Sequence, residues 1–178
     1  NIDAWAAELV PSVKEAFGYY FSDADQLVKQ PNAHIVVDDG RRFLKRTVEK
    51  FDVITLDPPP PIEAAGSSLL YSTEFYTQAK QRLSPQGILH QWFPGGEDKV
   101  LEAITASLSE SFPHIRVFRS MEGYGFHFLA SASPLSSLNA AKMAAKMPPS
   151  AQKDMVEWYP GLTPVQIIET FLSKEISL

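Results

Sequence analysis

The apolar residues of this chain form two kinds of pattern that alternate along the sequence. Short, nearly continuous apolar runs are typical of strands in a parallel sheet covered on both faces, because neither face of such a strand meets water. Between them lie segments in which apolar residues recur about every three or four positions, the spacing of a helix with one buried face. The predicted strands are residues 2–9, 33–37, 52–56, 88–93, 115–118 and 124–130.

Capping residues and prolines set the predicted limits of the helices. Ser12, with Glu15 three residues later, predicts the start of the first helix, and Ser72 predicts the start of a later one. The tail, residues 140–178, is helical in pattern with proline breaks. Because strands and helices alternate, the chain predicts an α/β fold with right-handed crossovers and a mostly parallel sheet. The last two strands flank a short turn and are expected to pair antiparallel.

Composition excludes several classes of function. A net charge of −5 over 178 residues provides no basic surface for nucleic acid or an anionic membrane. The absence of cysteine excludes disulfides, thiolate catalysis and zinc–thiolate sites. The histidines lack ligand spacing, so we predict no metal site, and His90 is expected to pack in the sheet. No apolar run reaches the ~18 residues of a membrane span, and we expect a cytoplasmic protein.

Acidic residues follow three of the predicted strands, at Glu8, Asp39 and Asp57. In an open parallel sheet, ligands bind beyond the carboxyl ends of the strands. We therefore expect these three carboxylates to face one adenosine-sized crevice.

Each of the first two carboxylates also has a simpler interpretation. Glu8 could accept the hydroxyls of a ribose, or it could be a carboxylate that favours the start of the next helix. Asp39 could accept a hydrogen bond from an adenine amine, with Gly40 allowing close approach. Alternatively, Asp38 or Asp39 caps the helix that begins at Gly40.

Asp57 lies between an apolar strand and a run of prolines, residues 58–61. Proline fixes φ and donates no N–H, so the loop is expected to be stiff and to hold the carboxylate as a catalytic base. The alternative is an aspartate that only ends a strand. Residues 62–70 are either a lid over the crevice or an ordinary surface loop.

Taken together, these residues resemble the spermidine synthase family, the polyamine aminopropyltransferases. Five motifs of that family match in order along most of the chain. They are AELVP at residues 7–11, DG at 39–40, FDVITLD at 51–57, LYSTEFY at 70–76 and QGILHQ at 86–91.

The resemblance implies a fold, a reaction and a set of site residues. The fold would be a Rossmann-like, methyltransferase-type three-layer sandwich, with the domain at residues 1–135 and a helical extension of it at 136–178. The parent protein would be a transferase of polyamine biosynthesis, moving an aminopropyl group from decarboxylated S-adenosylmethionine, or a related group from S-adenosylmethionine, to a small amine. The implied residues are Asp57 for catalysis, Glu8, Asp39 and Gly40 for the nucleoside, and Tyr71 and Gln91 for the substrate.

Two departures from the family pattern limit this interpretation. Family members carry a second aspartate three residues after the catalytic one, where this chain has Pro60, so a cationic amine would lose a counter-charge. Double-proline versions resemble a subgroup that is sometimes fused to membrane segments. The family's first strand and its glycine-rich loop should precede Asn1 and are missing from the chain.

These departures leave alternatives open. We expect the two strands that normally flank the missing one to pair directly, or another chain to fill the gap, so a homodimer is compatible. We also expect the fragment to bind the nucleoside poorly and to be inactive. The alternatives are an S-adenosylmethionine-dependent methyltransferase and a non-catalytic nucleoside-binding module.

Overall fold

A computed structural model describes residues 2–58 and 66–177 of the chain. The chain divides into two compact units, Asn1–Glu49 and Lys50–Leu178. The first unit holds a two-stranded sheet and the second a five-stranded sheet. The α/β class expected from the sequence is therefore confirmed in both units.

The first unit is a parallel strand pair with its connecting helices. Strands β1 and β2 run in parallel, with Ala4 opposite Ala33 and Glu8 opposite Val37. The elements are β1 (Ala4–Glu8), α1 (Pro11–Tyr20), α2 (Ala24–Leu27), β2 (Ala33–Val37) and α3 (Gly40–Arg46).

Helix α1 begins two residues earlier than predicted, since its N-cap is Val10 and not Ser12. Pro11 occupies its first turn, where the missing N–H costs nothing and the fixed φ favours the helix. Val10 is the N-cap and makes no side-chain cap bond, so the prediction that Ser12 caps this helix is wrong.

The expectation that the first strands are covered on both faces is also wrong. In the described residues, neither β1 nor β2 contains a fully buried side chain. A pair of strands has little sheet around it to bury either face. Trp5 partly compensates, since its ring stacks on His34 at 4.1 Å and lies 5.8 Å from the ring of Phe43.

The second unit contains the larger sheet, in the order β3-β4-β6-β5-β7. Strands β3 and β4 are parallel, whereas β4–β6, β5–β6 and β5–β7 are antiparallel. The predicted closing pair, β5 and β6, is confirmed. The elements are β3 (Phe51–Leu56), a 3-10 helix (Ser68–Tyr71), α4 (Thr73–Arg82), β4 (Leu83–Phe93), α5 (Asp98–Ser111), β5 (His114–Arg119), β6 (Phe126–Ser131), α6 (Ala140–Lys146), α7 (Pro149–Trp158), α8 (Pro164–Leu172) and β7 (Glu175–Ile176).

Two details of the second unit differ from the predictions. The Pro85-Gln86-Gly87 segment was expected to turn but lies inside β4, where the pairing with β3 shifts register between Phe51 and Val53. The tail was expected to be helical throughout, yet it ends in β7. There Glu175 pairs with Phe118, and its carboxylate binds Arg116 through two contacts of 2.6 Å.

Both faces of the larger sheet are covered by helices. On one face, Leu89, Gln91 and Phe93 of β4 are at most 1% exposed, and Gln91 is bonded to Tyr76 of α4. On the other face, Phe118 of β5 stacks on Phe171 of α8 with ring centroids 5.0 Å apart. The three-layer arrangement predicted for the fold is therefore present in this unit.

Candidate functional site

The carboxyl ends of β1 and β2 meet at one edge of the first unit. Glu8 ends β1, and its backbone oxygen accepts a 3.0 Å hydrogen bond from the N–H of Asp38, just past β2. The Glu8 side chain turns to the backbone ahead of α1, where Oε1 accepts from the N–H of Val10 at 2.8 Å. This bond favours the helix-start interpretation, and the binding of a ribose by Glu8 stays a prediction.

Asp39 is the N-cap of α3, as the simpler interpretation predicted. Its Oδ1 accepts from the backbone N–H groups of Arg41 and Arg42 at 2.9 and 3.1 Å. The guanidinium of Arg41 also donates to Asp39, to Oδ2 at 3.0 Å. This side-chain bond is the largest of the effects that hold the pKa of Asp39 below its usual value. An adenine amine would have to compete with Arg41 for the carboxylate.

The space next to Gly40 is open. A Cβ built at this position would meet no atom within 4 Å in the described part of the chain. Packing therefore does not require glycine here, and the free volume would allow a ligand to approach the backbone.

In the second unit, Asp57 follows the end of β3 and is exposed. Strand β3, which precedes it, was expected to be buried, but Ile54 is the only buried residue of that strand. The reason is that β3 is the edge strand of its sheet as described. Pro58 next to it is buried. The rest of the proline run, with Pro60, and the first four residues of the predicted lid lie outside the described residues, at 59–65. The described part of the lid, residues 66–70, leads into the 3-10 helix.

Tyr71 lies within the electrostatic reach of Asp57. Its side chain is 8% exposed, and its hydroxyl has no hydrogen-bond partner among the described residues. Burial is the main cause that raises the pKa of Tyr71 to about 12, and the charge of Asp57 adds to it, while the Gln91 side chain acts in the opposite direction. A buried hydroxyl without a partner is costly in a folded protein. This cost fits the predicted role of Tyr71 in binding the substrate, which stays a prediction.

Gln91 is fully buried and fixed by its neighbours. Its side-chain oxygen accepts from the hydroxyl of Tyr76 at 2.5 Å, and its amide donates to the backbone oxygen of Leu70 at 3.4 Å. These bonds tie β4 to the segment that carries Tyr71. Direct contact of Gln91 with a substrate stays a prediction.

The sequence interpretation missed a pair of histidines. His90 was expected to pack in the sheet, and it does lie in β4, but its Nε2 is 3.0 Å from Nδ1 of His127 in β6. The two residues are far apart in the sequence, and only the antiparallel β4–β6 register brings them together. No signal short of that register could have found the pair.

The structure thus groups the candidates within each unit: Glu8 with Asp39 and Gly40, and Asp57 with Tyr71 and Gln91. That all of them face one crevice stays a prediction. Across residues 2–58 and 66–177, no group of three or more histidine or acidic side chains could hold a metal ion. Nor does any helix in those ranges have the length and apolarity needed to cross a bilayer.

Comparison with known proteins decides the family. The family model described as the spermine/spermidine synthase domain matches residues 6–120. The chain belongs to the spermine/spermidine synthase family. That range contains all six candidate site residues, so the resemblance found in the five sequence motifs is confirmed.

Relatives of known sequence agree with this assignment. A polyamine aminopropyltransferase of Thermococcus kodakarensis is 32% identical over 142 residues, which cover 76% of this chain and 47% of that enzyme. Another, of Sulfurisphaera tokodaii, is 43% identical over 61 residues, 34% of this chain and 20% of the enzyme. The chain therefore spans less than half the length of these relatives.

Solved structures show the same fold in two kinds of protein. Spermidine synthase from Thermotoga maritima superposes with a TM-score of 0.63 at 19% identity, covering 95% of this chain and 56% of that one. Human methyltransferase-like protein 13 gives 0.62 at 18% identity, covering 98% and 72%. At such low identity these likenesses establish a Rossmann-like fold alone. They do not separate aminopropyl transfer from methyl transfer.

Proposed function

We propose that the protein carrying this chain transfers an aminopropyl group from decarboxylated S-adenosylmethionine to a small amine. The observation that carries the proposal is the family match over residues 6–120, which includes Glu8, Asp39, Asp57 and Tyr71. The T. kodakarensis relative, an aminopropyltransferase by name, supports the reaction over 76% of the chain.

In the proposed mechanism, Asp57 is the general base. An amine attacks only after it loses a proton, and a carboxylate beside it can accept that proton and stabilise the developing positive charge. Asp57 is exposed to a ligand and follows a strand end, while Pro58 is buried beside it. The hydroxyl of Tyr71, which has no partner among residues 2–58 and 66–177, supports a role in orienting the amine or Asp57, since a ligand would satisfy it.

The nucleoside would be held by residues of the first unit. Glu8 would accept the ribose hydroxyls through the oxygen that Val10 does not occupy. Asp39 would accept the adenine amine, at the expense of part of its bonding to Arg41. The open volume beside Gly40 supports close approach of the base to the backbone. In the transfer, the amine nitrogen would bond to the aminopropyl carbon as the bond from that carbon to sulfur breaks, and 5′-methylthioadenosine would leave. Such a displacement depends mainly on positioning, which these contacts would provide. The proposal involves no metal.

A non-catalytic nucleoside-binding module is the second candidate. One observation favours it: Pro60 replaces the second aspartate of the family, so a cationic amine loses a counter-charge while nucleoside binding is unaffected. Methyl transfer is supported only by the fold and is not favoured by the family match.

One experiment separates these functions. The protein is incubated with a panel of small amines and either decarboxylated S-adenosylmethionine or S-adenosylmethionine, and the products are identified by mass spectrometry. Aminopropylated amine from the first donor alone is the expected result. Methylated amine from the second donor alone would overturn the proposal. Binding of 5′-methylthioadenosine without any product would establish the binding module instead.

A further inference from the structure

A chain of four polar side chains crosses one face of the five-stranded sheet. The Oγ1 atom of Thr55 lies 2.7 Å from Nδ1 of His90, and Nε2 of His90 lies 3.0 Å from Nδ1 of His127. At the far end, Nε2 of His127 lies 3.1 Å from the hydroxyl of Ser120. The two imidazole rings are nearly parallel, at 14°, with centroids 5.3 Å apart. Each of the four ring nitrogens therefore has a hydrogen-bond partner within this series of side chains.

This bonding restricts the protons that the pair can carry. A neutral imidazole has one N–H and one acceptor nitrogen, so the contact between the rings needs one proton, on either His90 or His127. The hydroxyls of Thr55 and Ser120 can donate or accept, so the hydrogen bonds can run in either direction along the four side chains. One added proton preserves the contact between the rings, whereas a second would set N–H against N–H. The two residues must titrate as a coupled pair.

The pair is connected to the strand that leads to Asp57, because Thr55, which is bonded to His90, lies two residues before Asp57. Burial is the largest cause that lowers the pKa of both histidines, and Asp57 acts on both in the opposite direction. Glu122, in the turn between β5 and β6, also raises the pKa of His127. Glu122 itself accepts a 2.6 Å hydrogen bond from Tyr159, which is the largest cause that lowers its pKa, and the positive charge of Lys174 acts in the same direction. From α8, the neutral ring of Phe171 packs edge-on against His127.

We propose that His90 and His127 take up one added proton as a pair. This proton controls how strongly the negative charge of Asp57 attracts a cationic amine. A neutral pair leaves the Asp57 charge uncompensated, and the cation binds. A protonated pair places a positive charge near the same carboxylate and weakens cation binding. The histidines are positioning residues that act through Asp57. The inference rests on the proposed function, because it takes the ligand of Asp57 to be an amine.

Linkage gives the proposal a reciprocal test. If a proton on the pair lowers the affinity for the cation by some factor, the bound cation must lower the affinity of the pair for that proton by the same factor. Binding of 1,4-diaminobutane should therefore lower the titration midpoints of the two histidines. The measurement is a pH titration of the ¹⁵N-histidine-labelled protein by NMR, with resonances assigned from His90→Gln and His127→Gln. Spectra are recorded with and without the diamine, in the presence of 5′-methylthioadenosine.

Two carboxylate variants provide the comparison. Asp57→Asn removes the charge and should lower both histidine midpoints even without ligand. Asp52→Asn is the matched control, since Asp52 lies near the opposite end of the same strand and its carboxylate is bonded to Ser84. It should leave the midpoints in place. Independent titration of the two histidines, or no response to Asp57→Asn, would overturn the inference.

The affinity for the diamine, measured by calorimetry, separates failure of the inference from failure of the proposed function. In the wild type the affinity should fall by about tenfold as the pair becomes protonated below its midpoint. His127→Gln should flatten that part of the pH profile. A diamine affinity that does not change as the histidine pair becomes protonated would overturn the inference and leave the proposed function in place. No binding of the diamine at any pH would overturn the amine site and, with it, the inference.

Discussion

Replacing Tyr76 by phenylalanine tests whether the buried Tyr76–Gln91 bond fixes the site segment. The bond is 2.5 Å long, and both side chains are 0% exposed. Burial also raises the pKa of Tyr76, so its hydroxyl stays protonated and donates. Tyr76→Phe keeps the ring but leaves the Gln91 oxygen without that donor. A buried polar atom stripped of its partner costs about 1–3 kcal/mol, and this is the expected loss in the free energy of unfolding.

Two measurements on the second unit would detect this loss. Urea unfolding followed by far-UV circular dichroism gives the free energy of unfolding, and native-state exchange of the β4 amides reports on this unit specifically. Tyr19→Phe is the matched control, because Tyr19 is 89% exposed and its hydroxyl contributes little. The control should change the free energy of unfolding by less than about 0.5 kcal/mol.

A double-mutant cycle isolates the bond from other effects of each substitution. Gln91→Leu removes the acceptor with little change of volume, and removing both partners together should cost less than the sum of the single losses. We expect a coupling of about 1 kcal/mol or more. Additive single effects, or a Tyr76→Phe variant as stable as the control, would refute the view that this bond holds the segment.

Two further predictions concern the larger sheet. Gly87→Ala should lower the free energy of unfolding by about 1–3 kcal/mol, because the new Cβ would lie 2.9 Å from the backbone oxygen of Phe51; urea unfolding should show no such loss for Gly18→Ala, where nothing lies within 4 Å. The Arg116 side chain lowers the pKa of Glu175, so this ion pair stabilises β7 above the unfolded pKa of the carboxyl, and the gain disappears as pH falls through the lower folded value. The Glu175 side chain is 39% exposed, so the gain should be at most about 1 kcal/mol and should be lost in Glu175→Gln when stability is followed against pH.

Local sequence patterns predicted most of the elements, because each depends on residues close together in the chain. Ser72 accepts a 3.2 Å bond from the N–H of Phe75, as the cap pattern implied, and Asp39 caps α3 in the same manner. The antiparallel closing pair also depended on a short turn between two apolar runs. These features were predictable because nearest neighbours determine them.

Features that depend on the neighbours of a strand were not predictable. The apolar run of β3 predicts a buried strand, because the sequence does not show what lies next to it. In the structure as described, β3 is an edge strand and Ile54 is its only buried residue. Strand β7 forms because β5 offers an open edge and Arg116 binds Glu175, neither of which is a local signal. The His90–His127 contact likewise requires the register of two strands.

The candidate site was predictable in part for the same reason. The position of Asp57 after a strand follows from local pattern, and the family match includes it. The bonding of Asp39 to Arg41 and the burial of the Tyr71 hydroxyl, which has no partner in the described part of the chain, depend on side-chain geometry that a sequence does not give.

The role of Asp57 in aminopropyl transfer is the central claim, and the rate of transfer in three forms of the protein tests it most directly. Wild type, Asp57→Asn and the control Asp52→Asn would be compared with decarboxylated S-adenosylmethionine and the best amine of the panel. Loss of a general base should slow transfer by about 10²- to 10⁴-fold in Asp57→Asn, with Asp52→Asn close to wild type. Equal rates in all three forms would contradict the account.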